Sequence, residues 1–237
     1  MARGRGRGWA WALVPIWLLA ILALLMAALR GTINNRGYFL KIYEGMGMEA
    51  RIGISPADCA DAMMAMVGYM EGERDTIQLT VRENGRAVAM FNQQEIDHMV
   101  DVRNLYQAFC RAEYGGLGAL ALLLILLAVS RRGGGPARAA RRGWWLALLA
   151  FGCLLAALGV YAAVDFNDFW TRFHYIFFTN DLWLMDYATC RMIRICPLEL
   201  FSGIIARFTL LALGGIGLTG LGVALLGRRE GKEAGGL

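Results

Sequence analysis

The sequence predicts a mostly α membrane protein: four transmembrane helices, an extracytoplasmic domain between helices 1 and 2, and a shorter outer segment between helices 3 and 4. Three observations predict it. Hydrophobic residues make up 57% of the 237-residue chain and charged residues only 18%, against about 25% charged in soluble domains. The apolar residues gather into four windows, and a helix of about 17–25 residues crosses the roughly 30 Å hydrocarbon core. Arginines bracket those windows, which a buried bundle in a soluble protein does not require.

Taken in order, residues 1–8 are a basic tail carrying Arg3, Arg5 and Arg7, and 9–29 form the first span. That apolar run is longer than the core of a cleaved signal peptide, about 7–15 residues, so it is read as a retained span. Residues 30–114 are long enough for an outer α/β domain. The second span, 115–130, is short and leads to the basic connection 131–142, with Arg131, Arg132, Arg138, Arg141 and Arg142. The third span is 143–164, the second outer segment 165–203, the fourth span 204–226, and the tail 227–237 carries Arg228, Arg229 and Lys232. The three basic sites agree under the positive-inside rule, placing both termini and the 131–142 connection in the cytoplasm. A net charge of +5 is thereby explained at membrane edges, and a nucleic-acid role is not expected.

Within the first outer domain, Ile42 to Met48 holds too much glycine to predict helix. Ser55-Pro-Ala-Asp58 is a helix start, with Ser55 as cap and Pro56 in the first turn. Met63, Met64, Met66 and Met70 then give an apolar packing surface more simply than a copper site. Thr76–Arg82 and Arg86–Phe91 are predicted to pair as a hairpin around Asn84-Gly85. Asn92 caps the next helix, and Glu95 completes a capping box. Glu95, His98 and Asp101 follow at intervals of three on that helix, so acids can flank the imidazole along one face. Asp97 is rotated away.

The second outer segment mixes bulky apolar groups with polar chemistry. Trp170, Phe173, Phe177 and Phe178 can bury against spans or acyl chains, beside Arg172, His174, Asn180 and Asp181. An amphipathic interfacial linker is the plainer alternative. Arg191 and Arg194 share a helical side and suit a phosphate or carboxylate, or a salt bridge within the outer loops. Cys59, Cys110, Cys190 and Cys196 are placed outside, where disulfides are permitted but not specified. Gly214, Gly215, Gly217, Gly220 and Gly222 allow close helix approach, which alone is weak evidence of dimerisation.

The chain has two histidines, and the topology sends both to the same side. On opposite faces of an ester they can act as base and acid in acyl transfer. An amine must lose a proton as it attacks, and the departing alkoxide must gain one. Arg172 or Asn180 can then stabilise oxyanion charge. A metal site built from the histidines with Asp97, Asp101 or Asp181 is the competing chemistry, without strong ligand spacing. A cysteine acyl-enzyme lacks a locally defined triad.

Two segments carry a resemblance to a known family. Glu95-Ile-Asp-His-Met-Val-Asp-Val-Arg103 and Phe173-His-Tyr-Ile-Phe-Phe-Thr-Asn-Asp-Leu-Trp183 are similar to the two histidine motifs of the lipoprotein intramolecular transacylases, the Lit family. With the order of spans and outer segments, the resemblance covers about residues 10–226. It implies a bacterial cytoplasmic-membrane acyltransferase with its active site on the extracytoplasmic side. The implied reaction moves the sn-2 acyl chain of a client's diacylglyceryl group to the client's N-terminal cysteine amine, giving the lyso form.

The resemblance carries the catalytic histidines over to His98 and His174, with His98 the favoured base. Glu95, Asp101, Arg172, Asn180 and Asp181 are the expected supporting residues. Phe173, Phe177, Phe178, Trp183, Arg191 and Arg194 are the expected lipid or substrate contacts. Expected partners are diacylated bacterial lipoproteins and the surrounding phospholipid; no cofactor or metal is expected. The family often continues its second motif through an aspartate–proline pair, where this chain has Asp186-Tyr187. A nonenzymatic lipoprotein-binding or transport accessory and a metal-dependent lipid hydrolase are the alternatives.

Overall fold

Local signals set most of the element boundaries. The computed structural model describes residues 2–129 and 135–233. In chain order its elements are α1 (Ala2–Ile33), α2 (Arg36–Met46), α3 (Met48–Ile52), α4 (Pro56–Glu71), β1 (Thr80–Glu83), β2 (Arg86–Ala89), α5 (Gln93–Val129), α6 (Gly135–Val164), α7 (Phe166–Phe177), α8 (Arg191–Ile195) and α9 (Leu198–Glu233). Ser55 caps α4 as expected, its hydroxyl accepting from Asp58 N, with Pro56 in the first turn. The hairpin forms at Asn84-Gly85, where both residues have positive φ, 50° and 79°. Such a turn matches the right-handed twist of the strands it joins. The ladder is shorter than predicted, running from Thr80↔Ala89 to Glu83↔Arg86.

One stretch departs from the sequence reading. Residues around Ile42 to Met46 are helical despite Gly45, because Phe39 and Tyr43 on the same helix are fully buried. Burial of two aromatics outweighs the roughly 1 kcal/mol that glycine costs a helix interior. Gly47, at φ 62°, ends α2 and begins α3.

Among the described residues, three helices are long and apolar enough to cross a membrane: Leu13–Ile33, Arg138–Val164 and Leu198–Ala224. Each extends beyond the predicted window at one end, since a helix continues past the lipid wherever its polar end is solvated. The expected second span is the last part of α5 and is not among those three. Arg138, Arg141 and Arg142 lie in the first turns of α6 rather than in a loop. Arg131 and Arg132 of the predicted basic connection lie outside the described residues, as does the end of the predicted C-terminal tail.

The chain divides into two compact units. The first comprises Met1–Ala28, Cys110–Trp170 and Leu210–Leu237. Its core joins Trp17, Ala20, Ile21, Ala140, Trp144, Ala147 and Val223. Trp17 packs inside, meeting Trp144 edge to face at 5.3 Å and donating from Nε1 to Ala140 O at 2.9 Å. Close approach depends on Gly116, where a Cβ would lie 2.5 Å from Leu19 Cβ. Of the α9 glycines singled out in the sequence, a Cβ at Gly214, Gly217 or Gly222 would meet nothing within 4 Å. Leu149, Leu154, Leu155, Val160, Leu210, Leu213 and Leu218 are exposed, as residues facing acyl chains must be.

The second unit comprises Leu29–Phe109 and Thr171–Thr209. It therefore brings the two predicted outer segments, far apart in sequence, into one body. Both histidines belong to it.

Candidate active site

The first turn of α5 is fixed by a reciprocal capping box. Asn92 Oδ1 accepts from Glu95 N at 2.9 Å, and Glu95 Oε2 accepts from Asn92 N at 2.6 Å. Glu95 is fully buried, and its other oxygen, Oε1, accepts from Met192 N at 2.5 Å. The carboxylate therefore serves the backbone of two segments and does not hydrogen-bond His98. It locks the start of α5 to the start of α8.

The same turn holds the irregular segment between α7 and α8. Gln94 Nε2 donates to Leu182 O at 3.0 Å and Leu184 O at 3.1 Å, and Asn92 Nδ2 donates to Thr189 O at 3.3 Å. One turn further on, Asn180 Nδ2 donates to Asp101 Oδ2 at 2.8 Å. Asn180 and Asp101, two of the expected supporting residues, are thus joined to each other, with the amide engaged with the acid. Gln94 was missed by sequence reasoning, since nothing local marks a glutamine that reaches carbonyls 88 and 90 positions away.

These ties place His98 and His174 side by side. Their rings lie 6.3 Å apart between centroids with planes 28° apart, and the residues are only 8% and 5% exposed. Trp183 continues the stack on His174 at 4.6 Å and 27°. Phe178 is 6% exposed and packs on both imidazoles, at 5.3 Å from His98 and 5.5 Å from His174. It forms a wall of the histidine pair. Phe173 meets His174 edge to face and packs against Phe177, which is exposed and also lies near Phe109.

His98 Nδ1 is buried and has no hydrogen-bond partner. Burial lowers the pKa of His98 below the usual histidine value, the neighbouring His174 lowers it further, and Asp101 opposes both. The sequence places acids along this helix face, yet the net direction is down, because desolvation of the charged ring outweighs one partly exposed carboxylate. What results is a neutral imidazole at neutral pH, able to accept a proton.

Arg191 and Arg194 do not join this group. Both clasp Glu83 at the hairpin, at 2.6 Å and 3.0 Å, and Arg191 also donates to Ala89 O. Paired arginines hold the Glu83 carboxyl below the usual range. Of the two uses the sequence left open, salt bridging is the one observed. Arg172 is exposed on α7, and Asp181 is exposed with its carbonyl accepting from Leu184 N.

The five cysteines are free thiols. Burial pushes Cys59 and Cys196 up to about 12, so neither is a thiolate nucleophile at neutral pH. Among the described residues no three or more His, Cys, Asp or Glu side chains cluster as a metal would need, so the competing histidine–aspartate ligand set does not assemble.

Residues 14–201 match the family model described as lipoprotein intramolecular transacylase Lit. The matched range contains both histidines and every residue named in the site. Solved structures of the membrane-integral lipoprotein intramolecular transacylase Lit from Bacillus cereus share the fold. One aligns with a TM-score of 0.67 at 15% identity, covering 94% of this chain and 96% of that one. Two variants of it, with a histidine replaced by arginine or by alanine, align with TM-scores of 0.70 at 14% identity. They cover 98% and 97% of this chain, and 96% of each of those chains. No curated protein sequence matches the chain.

Proposed function

The chain belongs to the lipoprotein intramolecular transacylase Lit family, a family of acyltransferases, and from that premise we propose that it converts diacylated lipoproteins to the lyso form. The reaction moves the sn-2 acyl chain of the client's diacylglyceryl group onto the amine of the client's N-terminal cysteine. The observation that carries this reading is the buried, stacked pair His98–His174, assembled from two segments far apart in sequence.

The chemistry assigns one role to each ring. The amine nitrogen attacks the ester carbonyl carbon, and neutral His98 takes the proton that the nitrogen must lose. The tetrahedral intermediate collapses, the C–N amide bond stays, and the C–O ester bond breaks. His174, as imidazolium, gives its proton to the departing glycerol oxygen. A proton passed from His98 back to His174 resets the pair, so no oxidant or other reagent is consumed. Positioned acids and bases of this kind contribute about 10²–10⁴-fold each.

The positive-inside pattern supports four spans, with α5 supplying the second, both termini cytoplasmic, and the histidine pair on the extracytoplasmic side. That is the side on which mature lipoproteins present an N-terminal amine. The exposed face of α7, with Tyr175, Ile176 and Phe177, is apolar enough to receive acyl chains.

The test is mass spectrometry of a defined diacyl lipopeptide incubated with the purified chain. Transfer leaves the total mass unchanged and moves one acyl group to the amine in the fragment spectrum. A lipopeptide bound by the protein but with its linkage intact would instead indicate a binding accessory, and loss of a fatty acid a hydrolase.

A further inference from the structure

The indole of Trp183 ends the three-ring stack, lying nearly parallel to His174 at 4.6 Å with the edge of Tyr175 against it at 5.3 Å. An indole N–H can only donate. Here Nε1 is buried and makes no hydrogen bond, although leaving a buried donor unpaired is costly. The backbone carbonyls on either side of it in sequence, Leu182 O and Leu184 O, are both turned to Gln94. The polar groups around the stack are otherwise served: Asn180 by Asp101, Glu95 by two backbone amides. Unpaired polar atoms remain on two rings of the stack, Trp183 Nε1 and His98 Nδ1. An amine attacking an ester supplies the complement of that pair: a donor for an imidazole nitrogen and a carbonyl oxygen for an N–H.

We propose that Trp183 is a catalytic residue whose indole N–H donates a hydrogen bond to the carbonyl oxygen of the ester under attack, and to the oxyanion it becomes. The assignment rests on the transacylase reading and extends it to the group that stabilises the intermediate. As the C–N bond forms, the carbonyl π pair moves onto oxygen, and the indole hydrogen bond strengthens with that charge. When the pair returns and the glycerol C–O bond breaks, the bond weakens again. The indole proton is not transferred. Asn180 and Arg172 were the sequence's candidates for this duty, but the Asn180 amide is engaged with Asp101 and Arg172 is exposed. The flat contact also sets the indole's electron-rich face against the imidazole that becomes charged, which favours the imidazolium of His174. Ring face and ring N–H thus act on opposite charges of one intermediate.

Two substitutions separate the N–H from the ring. Trp183→Phe keeps an aromatic face, and replacing Trp183 by benzothienylalanine keeps the full indole shape with sulfur in place of N–H. Single-turnover rates on a defined diacyl lipopeptide are expected to fall by about 10² in both, the loss that follows removal of one oxyanion donor. KM and the pH at which the rate breaks stay unchanged. A benzothienylalanine variant with the wild-type rate would overturn the assignment, as would a normal maximal rate with a displaced pH break, which would leave only a stacking role. Wild-type protein and His98→Ala run beside them. An active wild type with an equally active benzothienylalanine variant removes this assignment alone; an inactive wild type removes the transacylase reading and the assignment with it.

Discussion

At the scale of residues, His98 is held neutral by burial and by a neighbouring imidazole, with Asp101 the one charge pulling the other way. A base of lowered pKa is useful only above that pKa. The rate on a diacyl lipopeptide should therefore fall as pH drops through the His98 value, which lies below that of an ordinary histidine, in addition to the titration of the client's amine. Asp101→Asn keeps an acceptor for Asn180 but removes the charge that raises the His98 pKa. Its break should move to lower pH, and a pH–rate profile that keeps the wild-type break would exclude that coupling.

Glu83 shows the opposite sign. Its pKa is depressed by Arg191 and Arg194, so it contributes stability above the unfolded value near 4.5, lost as pH falls through the folded value. Glu83→Gln should cost about 1–2 kcal/mol at neutral pH, read by thermal unfolding in detergent, and the difference from wild type should shrink in acid.

At the scale of elements, the site is made by what the first turn of α5 holds. Glu95 satisfies one amide of its own helix start and one of α8. Glu95→Ala should leave both buried donors unpaired and cost about 2–4 kcal/mol, visible as a lowered melting temperature together with loss of transfer activity. An unchanged melting temperature would show that the cap is not what locks these segments. Much of this level could be read from the sequence because caps and turns are local. Ser55, the Asn92–Glu95 box and Asn84-Gly85 each announce themselves within four residues. What escaped reading depends on distant partners: Gln94 reaching the 182–184 backbone and Glu83 recruiting both arginines. The helical stretch through Gly45 escaped for the same reason, since the burial of Phe39 and Tyr43 decides it and not local propensity.

At the scale of the whole molecule, the two outer segments predicted from hydropathy meet in one compact unit, Leu29–Phe109 with Thr171–Thr209. The family match covers both histidines. Three spans were legible from composition, whereas the predicted topology only put His98 and His174 on one side and the motif resemblance made them a pair, because spacing alone does not bring two segments together. Four spans with both termini inside predict that a reporter active only outside the cytoplasm is silent when fused after residue 134 or at the C-terminus, and active when fused at residue 75. A signal from the C-terminal fusion would require an odd number of spans. Intramolecular acyl transfer by the two histidines can be read directly from intact-mass and fragment spectra of a diacyl lipopeptide treated with wild type, His98→Ala and His174→Ala. Wild type is expected to give an unchanged total mass with one acyl group on the amine, and each folded, membrane-inserted variant at least about 10²-fold slower transfer. Wild-type transfer retained in either variant would contradict that role for the two histidines.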